Sequence, residues 1–278
     1  MPLARTADLV TAAYRNGSGI LACNVITLEH AEAIVTGAER VGRPVILQLS
    51  ENAVKFHHGR VAPIAAAACA VAEAGAVDIA VHLDHVEDEQ LLHACAGTGA
   101  SSAMFDASTL DYSANVAATK SAAQWAHREG LFLEAELGEV GGKDGAHAPG
   151  VRTDPQEAAA FVTATGVDAL AVAVGSSHAM SERSAALDFE LIRRLRAAVP
   201  VPLVLHGSSG VSDDDLRNAV EAGLTKINVG TLLNVRFTAA VRAYLDSDPR
   251  VSDPRRYLSP AREAIAEAVA SLITAIHG

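Results

Sequence analysis

Short apolar runs alternate along the whole chain with longer segments of helical periodicity. The runs are rich in Val, Ile, Leu and Ala, and polar or glycine residues bound them. This pattern is typical of buried parallel β-strands. It predicts strands over 19–25, 44–49, 79–85, 101–105, 131–137, 169–174, 202–205 and 226–229. It predicts intervening helices over 30–41, 63–74, 88–95, 112–129, 154–165, 188–199, 212–222 and 232–244.

The alternation of eight strands with helices predicts an α/β fold, a single (β/α)8 TIM barrel. A short helix over 6–16 precedes the first strand. Residues 246–278 read as a polar hinge followed by a C-terminal helical arm over 260–276. Because no Pro- or Ser-rich linker and no internal repeat interrupts the pattern, residues 1–278 are expected to form one domain.

Composition narrows the range of partners. The chain has 278 residues, half of them hydrophobic, and a net charge of −11 without a block of Lys or Arg. Binding to nucleic acid or to an anionic membrane is therefore not expected. No apolar run approaches the ~18 residues of a membrane span. No signal-peptide core is recognisable at the start, and the three cysteines show no disulfide or zinc spacing. A cytoplasmic location is expected.

Unusual polar residues cluster at the predicted carboxyl ends of strands. In a TIM barrel these ends meet at one rim, where active sites form. The third strand, 79–85, is a short apolar run that leads directly into two imidazoles and a carboxylate, His82, His85 and Asp84. The residues concerned are Asn24, Ser50, Asp84, His85, Asp106, Glu136, His178, His206 and Asn228.

Three of these rim residues are histidines from different strands: His85, His178 and His206. Three imidazoles that converge suit a catalytic zinc ion with an open coordination position. Each histidine alone would more often be a capping or core residue. Asp106 and Glu136 could hold a second divalent or monovalent cation, or orient the zinc ligands.

Two turns after the last strands resemble the phosphate sites of TIM barrels. Backbone N–H groups and hydroxyls near helix N-termini bind phosphate at these positions. The turns contain Gly207, Ser208 and Ser209 after the seventh strand, and Asn228, Val229, Gly230 and Thr231 at the eighth. The glycine-rich segment 138–150 is the longest irregular stretch, and such loops are usually functional.

With these residues assembled, the chain resembles the class II, zinc-dependent ketose-bisphosphate aldolases, which act on fructose or tagatose bisphosphate. The resemblance covers nearly the whole chain. It rests on the order and spacing of the motifs at 81–85 (VHLDH), 104–108 (MFDAS), 134–138 (EAELG), 175–178 (GSSH), 205–210 (LHGSSG) and 226–229 (KINV).

The resemblance implies a role for each motif. His85, His178 and His206 match the zinc ligands, and Asp106 and Glu136 match a secondary metal position. Asp84 matches the catalytic aspartate, and Asp144 is the nearest match to a proton-transferring carboxylate on the mobile loop. The phosphate and substrate contacts match Asn24, Ser50, Ala179, Gly207, Ser208, Ser209, Asn228, Val229, Gly230 and Thr231.

The implied reaction is reversible cleavage of a ketose 1,6-bisphosphate to dihydroxyacetone phosphate and an aldehyde, as in glycolysis. The chain departs from the family at its phosphate contacts. Ala179 and Glu182 stand where Gly and Lys are common, and Ser259 stands where an Arg is common. An aldolase for a different sugar or sugar-acid phosphate is therefore an open alternative. The terminal helix and the resemblance favour a homodimer or homotetramer.

Three other functions compete with this interpretation. A Schiff-base aldolase needs a desolvated lysine inside the barrel; Lys226 is expected at a strand start, where it does not fit this role. A metal-dependent hydrolase would use zinc to make hydroxide, but the first strand ends in Cys23 and Asn24 rather than a His-x-His pair. A non-catalytic partner subunit would not need the complete zinc set.

Overall fold

Eight parallel strands form a closed barrel in chain order, with the first strand paired to the last. A computed structural model of the chain describes residues 3–137, 152–176, 183 and 185–277. The predicted (β/α)8 fold is confirmed. The strands are β1 (Ile20–Asn24), β2 (Val45–Ser50), β3 (Ile79–Val86), β4 (Ser102–Phe105), β5 (Phe132–Glu136), β6 (Ala169–Ala171), β7 (Leu203–Leu205) and β8 (Leu224–Val229).

Helices surround the barrel and differ from the predicted ones mainly at their ends. They are α1 (Thr6–Asn16), α2 (Leu28–Val41), α3 (Glu51–Phe56), α4 (Val61–Ala74), α5 (Glu89–Cys95), α6 (Tyr112–Arg128), α7 (Pro155–Thr165), α8 (Phe189–Ala198), α9 (Asp213–Ala222), α10 (Thr231–Ser247) and α11 (Pro254–His277). The sequence pattern did not predict α3. No described helix combines the length and hydropathy that crossing a membrane requires.

The buried apolar side chains form two clusters, one outside the barrel wall and one inside it. The larger cluster lies between the strands and the surrounding helices, and includes Leu47, Val81 and Leu133. The smaller cluster contains alternate strand residues such as Ile46 and Met104, packed with Val10 and Ala13 of α1. Since successive side chains of a strand point to opposite faces, the second cluster fills the interior. Helix α1 therefore packs on the apolar filling of the barrel.

The C-terminal helix α11 packs along α2, α9 and α10. It begins at Pro254, six residues before the predicted start at Pro260, because Asp253 caps it by accepting from the Arg255 N–H at 3.0 Å. Gly37 of α2 permits close approach: a Cβ there would lie 2.6 Å from the Ala266 carbonyl oxygen. The hinge predicted from 246 is thus shorter, since α10 continues to Ser247.

Candidate active site

The end of β3 brings Asp84 and His85 to the same side of the barrel. Neighbouring residues of a regular strand point to opposite faces. Here the pairing of β3 with β4 shifts register between Leu83 and Val86, and His85 has a φ of 48°. Non-glycine residues rarely adopt this left-handed conformation, and strained residues of this kind cluster at functional sites. The irregularity turns His85 toward the interior, beside the buried carboxylate of Asp84.

His85 and His206, which directly follows β7, meet at the rim. His85 Nε2 lies 2.9 Å from His206 Nδ1. The other nitrogen of each ring faces a carboxylate: His85 Nδ1 lies 2.9 Å from Asp106 Oδ2, and His206 Nε2 lies 2.9 Å from Glu134 Oε1. Rings that donate to these carboxylates direct their lone pairs at each other, which is repulsive unless a proton or a metal cation lies between them.

Two overlapping groups of side chains suit a cation. Asp84, His85 and His206 each place a ligand atom within 4.8 Å of the others, and so do His85, Asp106 and Glu136. Imidazole and carboxylate donors of this kind fit zinc. The predicted metal residues that the structure describes therefore lie in two adjoining groups that share His85.

The carboxylates give this centre a negative potential. Burial alone would lower the pKa of His85, but Asp84, Asp106 and Glu136 raise it to about 10. Burial alone would likewise raise the pKa of Asp106, yet hydrogen bonds from His85 and Ser108 hold it well below its ordinary value. Both shifts have the direction expected of a site that attracts positive charge.

Asp84 lies among amides at the base of the centre. Gln48 Nε2 donates to its Oδ2 at 3.2 Å, and Asn228 Nδ2 approaches its Oδ1 at 3.5 Å. Burial is the main cause that raises the pKa of Asp84. Among the described residues, Gln48 Oε1 and Asn228 Oδ1 are buried acceptors without a hydrogen-bond partner. Unpartnered buried acceptors of this kind fit the hydroxyls of a polar ligand, and the sequence pattern does not single out Gln48 as a candidate.

The two predicted phosphate turns lie against each other. Gly207 adopts a φ of 67°, which allows the short 3₁₀ turn Ser208–Gly210 to begin three residues after the end of β7. Ser208 Oγ donates to the Asn228 carbonyl, and Ser209 Oγ accepts from the Leu232 N–H in the first turn of α10. Gly230 and Thr231 begin that helix, whereas the Val229 side chain is buried in the outer apolar cluster. Only the backbone of Val229 is thus available to a ligand.

Ser50 and Asn24 have structural partners at the rim. Ser50 Oγ accepts from the Ala53 N–H at 3.1 Å and so caps α3. Asn24 Oδ1 accepts from Gln48 Nε2. Gly230 packs closely on Asn24: a Cβ at position 230 would lie only 3.1 Å from Asn24 Cγ. Three further predicted site residues, Asp144, His178 and Ala179, lie outside the described residues.

Lys226 does not lie where the sequence predicted it. It is the third residue of β8 rather than the first, and its side chain is wholly buried inside the barrel. Its Nζ forms an ion pair with Glu134 Oε2 at 2.8 Å. Burial therefore does not argue against a Schiff-base role, but an ammonium engaged by a carboxylate is no nucleophile.

Glu134 and Lys226 had a signal in the sequence. Each stands two residues before a rim residue, Glu136 or Asn228, and His82 stands likewise before Asp84. Since strand side chains repeat with period two, all three point inward below the rim. Charged residues at such positions are costly unless paired, so this spacing predicts a buried polar layer.

Known proteins resemble the chain over nearly its full length. Residues 4–277 match the family model described as fructose-bisphosphate aldolase class-II. A fructose-bisphosphate aldolase of Staphylococcus aureus is 36% identical over 272 residues, covering 97% of this chain and 95% of the relative.

Solved structures are similar as well. The YdjI aldolase of Escherichia coli K12 superposes with a TM-score of 0.86 and 31% identity, covering 99% of this chain and 97% of that one. A putative fructose-1,6-biphosphate aldolase of Coccidioides immitis gives a TM-score of 0.82 and 29% identity, covering 98% and 96%.

Proposed function

The chain belongs to the class-II fructose-bisphosphate aldolase family, and we propose from this premise that it cleaves a ketose phosphate with the help of zinc. It is an aldolase, a carbon–carbon lyase of a generally metal-dependent family. The proposal adds the metal, the products and the residues. The products are dihydroxyacetone phosphate and an aldehyde, and the reaction is reversible.

One observation carries the proposal: His85 Nε2 and His206 Nδ1 face each other at 2.9 Å beside the buried carboxylate of Asp84. His85, His206 and His178 would hold the ion, as in three-histidine catalytic zinc sites. Asp106 and Glu136 orient His85 or hold a second cation close by.

Asp84 acts as the base in the direction of cleavage. Its carboxylate takes the proton from the C4 hydroxyl of the ketose, and the C3–C4 bond breaks. A raised pKa suits a group that must accept a proton and later return it. His85, His178 and His206 would hold a zinc ion, which would supply Lewis-acid stabilisation for the electrons released toward the C2 carbonyl. Asp144 is the proposed carboxylate for proton transfer at C3.

The phosphate would bind at the paired turns after β7 and β8. Gly207, Ser208 and Ser209 offer backbone and hydroxyl groups, and the first turn of α10 offers a helix N-terminus. Asn24, Ser50 and Asn228 complete the substrate contacts. Fructose and tagatose 1,6-bisphosphate are the first candidates. A different sugar phosphate fits the departures at Ala179 and Ser259.

Metal analysis combined with a substrate panel tests the proposal. Purified protein should contain about one tightly held zinc per chain. Chelation should abolish cleavage of the best ketose phosphate, and added zinc should restore it. Full activity of the metal-free protein, or trapping of a substrate adduct on Lys226 by borohydride, would refute the zinc mechanism.

A further inference from the structure

A series of buried polar contacts runs from His206 into the interior of the barrel. His206 Nε2 lies 2.9 Å from Glu134 Oε1, and Lys226 Nζ donates to Glu134 Oε2 at 2.8 Å. Beneath them, Lys226 Nζ lies 3.5 Å from His82 Nε2. The side chains of Glu134, Lys226 and His82 are inaccessible to solvent, so water cannot replace any of these contacts.

Helix α1 fixes the lower end of this series of contacts. His82 Nδ1 lies 2.7 Å from Ser102 Oγ, which donates to Thr6 Oγ1 at 2.7 Å. Thr6 is the first residue of α1, and its N–H donates to Ser101 at 2.9 Å. The contacts thus run continuously from the rim to the helix that packs on the apolar filling of the barrel.

The upper end determines which nitrogen of His206 carries the proton. Glu134 accepts from Lys226 through one oxygen, so its other oxygen accepts the Nε2 proton of His206. Asn228 Nδ2 also lies 3.1 Å from this nitrogen. Because an amide N–H only donates, it could bond Nε2 only in the other tautomer, which would leave the Glu134 carboxylate facing a lone pair at 2.9 Å; the contact with the carboxylate therefore decides. His206 Nδ1 therefore keeps its lone pair, and this nitrogen faces His85.

A buried ion pair contributes little to stability by itself, since apolar residues of equal volume often do as well. The Glu134–Lys226 ion pair instead fixes the positions of side chains near His206. We propose that Glu134 and Lys226 are positioning residues of the metal centre: Glu134 fixes the tautomer and direction of His206, and Lys226 fixes Glu134. The inference rests on the proposed function, because it takes His206 as a metal ligand.

Replacing Glu134 with glutamine is the sharpest test because the two side chains have nearly the same shape. The glutamine oxygen would accept from Lys226, and its amide would then donate to His206 Nε2. That reverses the tautomer and places a proton on Nδ1, where the lone pair is needed. The affinity of Glu134→Gln for zinc should fall about 10- to 100-fold, the usual loss when a group that orients a ligand is changed.

The double variant Glu134→Gln/Lys226→Met tests the order of the contacts. If Lys226 acts only through Glu134, the double variant should lose no more zinc affinity than Glu134→Gln alone. The cobalt-loaded variants should show altered visible absorption, which a purely structural role would leave unchanged. Thr165→Val is a matched control: its buried hydroxyl donates to the Phe161 carbonyl within α7 and takes no part in the contacts from His206 to Thr6.

Zinc affinity is measured by competition with a chelating dye on protein whose circular dichroism matches the wild type. Wild-type affinity and cobalt spectrum in folded Glu134→Gln would overturn the proposal, and additive losses in the double variant would overturn the role of Lys226. If the double variant does not fold, the single variant decides. A wild type that binds zinc but cleaves no ketose phosphate would refute the proposed function and leave this inference standing.

Discussion

Asp106 Oδ2 lies 2.9 Å from His85 Nδ1, on the side of the ring opposite His206. Ser108 holds the other oxygen of Asp106 through a hydroxyl at 2.6 Å and a backbone N–H at 3.1 Å. The carboxylate is thus fixed before it meets the imidazole. The pair leaves His85 Nε2 directed at the proposed metal position.

The variant Asp106→Asn should weaken zinc binding about 10- to 100-fold, because the amide no longer fixes the His85 tautomer. Ser108→Ala is the matched control: it removes one contact to Asp106 and keeps the carboxylate, so its loss should be smaller. Zinc affinity of both variants is measured by chelator competition. Equal affinity of Asp106→Asn and wild type would show that this carboxylate does not orient His85.

The variant Asp84→Asn should lower turnover by roughly 10²- to 10⁴-fold, the usual effect of removing a positioned acid–base group. Its zinc content should remain that of the wild type, because Asp84 is proposed as a base and not as a ligand. Turnover and metal content are measured on the same preparation. Loss of the metal together with activity would instead make Asp84 a ligand, which its place in the Asp84–His85–His206 group permits.

The sequence predicts the barrel well because its signals are local. Short apolar runs, helical periodicity and the polar or glycine residues that bound them depend on neighbours in the chain. The start of α11 was missed because two prolines compete: Pro260 looks like a first residue, but Asp253 caps a helix that begins at Pro254. Whether the helix begins at Pro254 or at Pro260 depends on packing against α2 and α10, which the sequence does not display.

The sequence predicts which strand ends carry the site residues, but it does not predict how their side chains are arranged. His85 joins Asp84 only because β3 shifts register against β4, which depends on pairing between distant segments. For a related reason, the buried ion pair of Lys226 is not predicted. Its partner Glu134 is 92 residues away, and the sequence does not display a pairing between such distant strands.

The three cysteines should react slowly with thiol reagents in the native protein. Burial raises the pKa of Cys23 and Cys69 and raises that of Cys95 to about 12. Since the thiolate is the reactive form, native labelling at pH 8 should be much slower than that of glutathione. Cys69, 8% exposed, should label before the fully buried Cys23 and Cys95.

Mass spectrometry of the alkylated peptides measures this order, and labelling in denaturant should give three thiols per chain. Rapid native labelling of Cys23 would show that the barrel opens readily at β1.

His30 should make the protein less stable at mildly acidic pH. It stacks on Phe237 of α10 with ring centroids 4.9 Å apart, and burial lowers its pKa despite opposing contributions from Asn234 and Glu29. Below its unfolded value of about 6.5, the unfolded state binds more protons than the native state. The part of the free energy of unfolding that depends on neutral His30 is therefore fully present above that pH, and it is lost as the pH falls.

The variant His30→Phe keeps the stacking and removes the titration. At pH 7.5 it should be about 1 kcal/mol less stable, because the contact of Thr27 Oγ1 with His30 Nδ1 at 3.1 Å is lost. The deficit should shrink toward pH 5.5. Urea unfolding of both proteins at several pH values measures the difference, and a deficit independent of pH would contradict the prediction.

The variant Gly37→Ala should destabilise the protein, although alanine in mid-helix normally stabilises by about 0.5–1 kcal/mol. Its Cβ would lie 2.6 Å from the Ala266 carbonyl oxygen and 2.8 Å from Val269 Cβ, so α11 must move away from α2. Overpacking of this kind typically costs about 1–3 kcal/mol. Thr36→Ala, at the half-buried neighbouring position, is the control and should change stability little. Urea unfolding midpoints of the three proteins decide the question. A stabilised Gly37→Ala would mean that α11 lies farther from α2 than the backbone contact at Gly37 requires.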